Sequence, residues 1–397
     1  MEIVYEKLIG KIDEYKGEMI EESKKIHDFS ELAFNEHYSS EELEDVLEKY
    51  GFKVQRGVGS LPTAFKAVYK GKSDHPSIAF LAEYDALPGI GHGCGHNLIA
   101  PQSVFAAIAL TKVLNDTYGT IVVMGTPAEE TGGGKIILIE EGAFDDVDYS
   151  IMAHPASVNE VGRKGRAITG IYIEYFGKSA HSSAPEYGIN ALSAVINTFT
   201  AIDLMRQTLP EGISTNGIIL EGGKADNIIP DYASCQFTVR ASTRDDLLIA
   251  LEKIKGVVKA SEILTGARGV MKIEPIYAER YPNMIMELRY KKHMEFLGEQ
   301  VRVASPVGKF GSSDIGNVSL KMPIIHSYFK INEVTVNAHS KEFTKSAISD
   351  NAFSGMIKSC KAIAMLGADL LLNKAFRENA YEEYEKEVKE KLKVNIL

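Results

Sequence analysis

The chain has 397 residues, 45% hydrophobic and 25% charged, the composition of a folded globular protein and not of a disordered or fibrous one. At roughly 150 residues per domain, that length predicts two or three domains. Lysine and arginine number 44 against 54 acidic residues, a net charge of −10 with no basic run to offset it, so the electrostatic footprint of a nucleic-acid partner is missing.

No run of about 18 apolar residues offers a membrane span, and the N-terminal stretch has no apolar signal region. The three cysteines, Cys94, Cys235 and Cys360, are too scattered for a disulfide framework. A cytoplasmic protein without a membrane partner is expected.

The spacing of Ile26, Phe29, Leu32 and Phe34, then of Leu43, Val46 and Leu47, predicts helices in the first stretch, with Gly51 ending the second. Thr63 to Tyr69, Ser77 to Leu81 and Gly119 to Met124 are short β-type runs, and the apolar segment from Pro101 to Leu114 reads as a helix. Strands alternating with helices predict an α/β layer with a largely parallel sheet, whose ligand sites gather in loops beyond the strand ends.

From Ala167 the rhythm changes. Strand Ala167 to Gly177, helix Tyr187 to Leu209, strands Gly217 to Glu221 and Tyr232 to Arg240, helix Arg244 to Leu264 and strand Val270 to Tyr277 give the order β-α-β-β-α-β of a ferredoxin-like unit. It reads as an insertion, because α/β patterning resumes after Pro282 and ends in a helix from about Ser349 to Leu372. The charge-dense last 25 residues read as a solvated helix or frayed tail.

Three metal-capable side chains fall within the five residues from His92 to His96, with Cys94 between two glycines. Such a run lets the backbone bend until thiolate and imidazole converge on one ion. A plain glycine turn around a buried cysteine is the other reading. Glu129 and Glu130 follow the strand that ends near Met124, and three glycines come after them. Adjacent carboxylates at a strand end point in different directions, so one can bind a metal while the other serves as general base for a metal-activated water. His154 and His339 end two further runs. Cys94, His96, Glu130, His154 and His339 together make a donor set suited to two metals sharing a bridge.

Competing signatures fail on single positions. Gly132 to Lys135 lacks the leading glycine of a phosphate loop and has Ile136 where Ser or Thr must stand. Gly311 to Ile315 has isoleucine in place of the second glycine of a nucleophile elbow.

The run Ala82 to Asn97 (AEYDALPGIGHGCGHN), with Pro127 to Glu130, resembles the M20 metallopeptidase family and, more narrowly, its amidohydrolase branch of aminobenzoyl-glutamate hydrolases, auxin-conjugate hydrolases and β-alanyl-lysine dipeptidases. The similarity extends to His27 to Glu36, Ala180 to Pro185, Gly222 to Pro230, and His339 with Phe343. It implies a zinc-peptidase-like α/β catalytic domain, residues 1–166 and 280–397, carrying an inserted ferredoxin-like α+β lid and dimerisation domain, residues 167–279.

By the same resemblance Cys94, His96, Glu130, His154 and His339 are the ligands of two divalent metal ions, Zn or Mn, and Glu129 is the general base. Asp85 orients a histidine ligand, His181 stabilises the oxyanion, and Asn227 and Arg240 hold a substrate carboxylate. The implied reaction is hydrolysis of the amide bond of a small N-acyl amino acid or dipeptide with a free carboxylate, aminobenzoyl-glutamate-like or β-alanyl-dipeptide-like, by a cytoplasmic homodimer joined through the insertion. The alternative is a broader aminopeptidase, or a peptidase acting on longer peptides. Two positions depart from common family patterns. Glu83 stands where other branches have a metal-binding histidine, and Asn97 where many amidohydrolase-branch members have aspartate.

Overall fold

The computed structural model describes residues 1–114, 119–305 and 310–390. The chain divides into two compact units, Met1–Lys164 with Arg280–Leu397, and Gly165–Glu279. In chain order the first unit opens with α1 (Glu2–Phe29), α2 (His37–Lys49), β1 (Lys53–Val58), β2 (Leu61–Lys70), β3 (Ser77–Ala82), α3 (His96–Val113), β4 (Thr120–Gly125), α4 (Gly134–Glu140), β5 (Tyr149–Ala156) and β6 (Glu160–Val161). The second unit is β7 (Ala167–Phe176), α5 (Ala191–Met205), β8 (Ser214–Glu221), β9 (Tyr232–Ala241), α6 (Arg244–Thr265) and β10 (Arg268–Ile273). The chain then returns as α7 (Met284–Phe296), β11 (Arg302–Val303), α8 (Ile315–Lys321), β12 (Ile324–Lys330), α9 (Lys341–Ser346), α10 (Asp350–Leu372) and α11 (Lys374–Tyr384).

The first unit is built on an eight-stranded sheet in the order β1-β2-β4-β3-β5-β12-β6-β11. Its centre, β4-β3-β5-β12, is parallel, and β1 and β2 are antiparallel additions at one side. Every residue of β3 and β4 is buried, as expected for strands covered on both faces. Phe80, Val123 and Ile151 pack among α1, α3 and α10 on one face, while Leu81, Met124 and Met152 meet Leu138 of α4 and Ile315 of α8 on the other. Helix α3 is buried nearly all round, the mark of a central helix. It begins at His96, earlier than expected, with Pro101 inside it. The missing proline N–H forfeits one hydrogen bond in a helix otherwise held by packing.

Of the two helices expected in the first stretch, the second is α2, while the first ends at Phe29, short of Leu32 and Phe34. Ser30 takes the left-handed conformation at φ 44° and ends α1, so Leu32 bridges Ala86 and Phe34 turns at φ 63°. The C-terminal segment is likewise not simply solvated. Phe376, Ala380, Tyr384 and Val388 recur every fourth residue and are buried, the seam of a docked helix. The rest of the predicted tail, residues 391–397, lies outside the described residues.

The second unit has the β-α-β-β-α-β order, with strands in the sheet order β10-β7-β9-β8, all antiparallel. Burial along β7 alternates strictly, the period of a strand with one face on a core. Asn190 caps α5 by accepting from Ser193 N, Thr243 caps α6 by accepting from Asp246 N, and Gly266 closes α6 at φ 77°. These start and stop signals explain why this unit's elements are readable from sequence.

Candidate metal centre

The polar residues at issue in the first unit lie beyond the carboxyl ends of the parallel strands. Strand β3 leads into Glu83 and Asp85, β4 into Glu129 and Glu130, and β5 carries His154 in its last turn of chain. Gly95, at φ 75°, delivers His96 to the first position of α3, and a Cβ there would lie 2.7 Å from Pro155. His339 sits on an exposed loop at φ 61°, tied by its backbone N–H to Gly93 O at 2.9 Å.

One ligand atom each from Cys94, His96 and His154 lie within 4.8 Å of one another, as do those of Cys94, Glu130 and His339, and of His96, Glu129 and Glu130. All five expected ligands and the expected base are thus brought together. His96 Nε2 is 4.0 Å from both Glu129 Oε2 and Glu130 Oε1, and His339 Nε2 is 3.6 Å from Glu130 Oε2.

Hydrogen bonds fix which ring nitrogens carry a proton. His96 Nδ1 is 2.9 Å from both Asp85 Oδ1 and Asp85 O; both are acceptors, so a proton is fixed on Nδ1 and Nε2 is the nitrogen that faces the donor set, while, against the effect of burial, Asp85, Glu83 and Glu130 raise the pKa of the ring. His154 Nδ1 likewise donates to Pro155 O at 2.7 Å. His96 Nε2 and Glu130 Oε1 are buried with no hydrogen-bond partner. These two atoms, 4.0 Å apart without a hydrogen bond, belong to a soft-and-hard set of thiol, imidazole and carboxylate that fits a divalent cation.

The electrostatics follow from crowding. Burial, then the charges of Glu130 and Glu83, push the Glu129 carboxyl well above the usual carboxylate range. Burial, then the charge of His96, holds His154 down to about 3, a neutral imidazole. Burial opposes ionisation of Asp85, but His96 and the N–H of Glu130, at 2.9 Å, outweigh it and keep its pKa low. The Cys94 thiol is pushed up by burial and by Glu130 beside it.

Several residues here escape sequence reasoning. Lys135 is fully buried, with its Nζ 2.6 Å from Glu83 Oε1 and 2.7 Å from Asp314 Oδ1, and Glu83 Oε2 is 3.5 Å from His96 Nε2. The lysine that imitated a phosphate loop and the aspartate that imitated a nucleophile elbow are therefore partners. Burial, then the opposing charges of Lys135 and Glu83, leave the Asp314 carboxyl at about 6. His326, also buried, accepts at Nδ1 from Arg280, which puts its own proton on Nε2 and leaves the ring against His154 with centroids 5.4 Å apart.

The remaining expected residues belong to the second unit. His181 is exposed and its Nδ1 accepts from Ser183 N at 3.2 Å, so Nε2 bears the proton and is a donor. Asn227 is adjacent, its carbonyl accepting from Ser182 N at 3.0 Å. Arg240 lies near the opposite end of β9, where burial and then the charge of Arg166 lower its pKa. Within that unit the fold brings His181 and Asn227 together and leaves Arg240 apart.

A carboxylate next to a mixed donor set, at the carboxyl ends of parallel strands, is what a metal-dependent hydrolase requires. Residues 161–263 match the peptidase dimerisation domain of the M20 family. The chain is 34% identical to the Xaa-Arg dipeptidase of Mus musculus, over 100% of this chain and 95% of that one. It is 26% identical to a p-aminobenzoyl-glutamate hydrolase polypeptide of Escherichia coli K12, over 91% and 90% of the two chains. The solved aminobenzoyl-glutamate utilization protein of Klebsiella pneumoniae shares the fold at a TM-score of 0.70 and 17% identity, covering 91% of this chain and 97% of that one. The chain belongs to the M20 peptidase family. It is a hydrolase of that family's amidohydrolase and dipeptidase kind, acting on small substrates. Among the described residues no helix is long and apolar enough to cross a membrane.

Proposed function

We propose that this protein hydrolyses the amide bond of a small N-acyl amino acid or dipeptide that carries a free carboxylate, with two divalent ions held by Cys94, His96, Glu130, His154 and His339. The observation that carries this reading is the pair of buried polar atoms without a hydrogen bond, His96 Nε2 and Glu130 Oε1, inside that donor set. Bound ions would supply Lewis acidity, lowering the pKa of water and polarising the substrate carbonyl. The thiolate favours zinc by softness, and manganese suits the carboxylates.

Glu129 accepts the proton of the attacking water and passes it to the departing amine. Asp85 holds the His96 ring in one tautomer. His181, with a proton on its exposed Nε2, donates to the developing oxyanion. Asn227 and the Arg240 guanidinium hold the substrate carboxylate, which, since the two lie apart within one copy of the second unit, calls for one residue from each copy in the dimer. A homodimer forms through the second unit, whose edge strand β8 exposes Ile218, Ile219 and Leu220. A cytoplasmic setting accords with three cysteines that are all free and buried.

The test is metal content on protein purified without chelator, paired with hydrolysis of aminobenzoyl-glutamate and of a β-alanyl dipeptide. The expected outcome is about two metals per chain, activity lost on chelation and restored by Zn²⁺ or Mn²⁺, and a Glu129→Gln variant that keeps its metal but loses about 10²–10⁴-fold in kcat. A metal-free, chelator-insensitive enzyme would overturn the metal assignment, and a fully active Glu129→Gln the assignment of the base.

A further inference from the structure

The turn that carries Glu129 and Glu130 hangs from a single residue, Ala128. This alanine is fully buried and sits at φ 60°, a left-handed conformation that side chains other than glycine seldom adopt without outside support. Its carbonyl is held by two N–H donors, Gly133 N at 3.0 Å and Gly134 N at 3.3 Å. Its own N–H goes elsewhere, donating at 2.9 Å to Oε1 of Glu36, a residue 92 positions earlier in the chain.

Glu36 stands at the N-cap position of α2 but makes no capping bond to its own helix. Its carboxyl group is fully buried and its second oxygen accepts from Thr63 Oγ1 at 3.0 Å on β2. Nearby contacts point the same way. Glu31 O accepts from Ala86 N at 2.8 Å, beside Asp85, and a Cβ on Gly132 would strike the ring of Phe34 at 2.3 Å. The stretch between α1 and α2 therefore touches both carboxylate-bearing loops of the metal centre.

We propose that Glu36 is a positioning residue: by accepting the Ala128 N–H it holds this turn in its left-handed conformation and so sets the directions in which Glu129 and Glu130 leave it. This rests on the roles given above to those two carboxylates. Without Glu36 the Ala128 N–H loses its buried acceptor, and the peptide is free to rotate toward a right-handed or extended conformation that carries Glu129 with it.

The test compares Glu36→Ala, Glu36→Gln and the double variant Glu36→Ala/Ala128→Gly with the wild type. Two readouts are taken on each: kcat and KM on the dipeptide and aminobenzoyl-glutamate substrates, and titration of the metal-free protein with Co²⁺. Glu36→Ala should lower kcat by about 10²-fold with KM changed less than about threefold, because a displacement of the order of 1 Å costs that much. Its Co²⁺ affinity should fall by about 10-fold or more. Glu36→Gln should stay close to wild type, since its amide oxygen accepts the same N–H. Glycine at position 128 holds a positive φ unaided and should restore about tenfold of the lost kcat.

A Glu36→Ala variant with wild-type kcat and Co²⁺ affinity would overturn the proposal, as would a double variant no better than the single one. If the alanine fails to fold, Glu36→Met fills the same space without a carboxylate acceptor and is read by the same criteria. If the wild type hydrolyses neither substrate, the proposed reaction fails, and the Co²⁺ series alone still decides for or against Glu36.

Discussion

Between Gly165 and Glu279 the buried polar residues are the hydroxyls of Thr169, Thr198, Thr215, Ser234 and Ser261, with the only buried charge among the described residues of that unit, Glu279, at the last position. The other unit buries Glu36, Glu83, Asp85, Lys135, Glu287 and Asp314, among others. The surfaces are inverted in turn, since β8 of the second unit exposes three consecutive apolar side chains, Ile218 among them at 60%. Keeping charges dry is costly unless each is paired, and leaving an apolar edge wet is costly unless it is covered. The first unit accepts its cost around the carboxyl ends of its strands. The second bears its cost along an edge, which is why assembly is proposed for it beside the substrate contacts of His181, Asn227 and Arg240.

The sharpest way to break this comparison is to remove the positive charge from the core of the first unit. Lys135→Met leaves Glu83 and Asp314 facing each other without their shared cation, and should destabilise by about 3–5 kcal/mol in denaturant titrations above pH 7. A loss under about 1 kcal/mol would mean that these charges are not held apart as described.

Next in size is the edge of the second unit. Ile218→Lys should weaken the proposed dimer by about 2 kcal/mol, seen by light scattering at micromolar concentration as a shift toward the monomer mass. Its thermal midpoint as a monomer should barely move, because the side chain contributes little to the unit's own core. A wild-type chain that is already monomeric would remove the dimer altogether.

The smallest effect concerns Glu44, a buried carboxyl of α2 that burial raises to about 7 even though Arg56 Nη1 lies 2.6 Å away. Its pKa is raised on folding, so between about pH 4.5 and 7 the folded chain holds a proton that the unfolded chain has lost, and stability falls as pH rises through that window. Glu44→Gln removes this dependence. Its stability relative to wild type should therefore improve by about 1–2 kcal/mol from pH 5 to pH 8, and an unchanged difference would show that Glu44 titrates as it does in the unfolded chain.

What could be read from the sequence follows the same division. The second unit is built from local signals, alternating strands and capped helices such as Thr243 to Gly266, and its element order is legible throughout. In the first unit Cys94, His96, Glu129, Glu130 and His154 could be picked out because each follows or ends an apolar run, or sits among glycines. Lys135 and Asp314 could not, because their pairing spans 179 residues and depends on the closed sheet. Glu36 was hidden for the same reason. Leu32 and Phe34 read as helical because the left-handed stop at Ser30 carries no glycine to announce it. The buried seam from Phe376 to Val388 was masked by the charges between its members.

The place of β12 has a consequence for how the molecule is made. It fills the position between β5 and β6, pairing along the full length of β5 from Ile324 to Lys330. A ribosome delivering the chain from its N-terminus presents β3, β4 and β5 long before β12, with all of the second unit synthesised in between. Through that interval β5 has an open, apolar edge in the middle of what will become the sheet, so the nascent chain stays exposed to mispairing until its last fifth emerges.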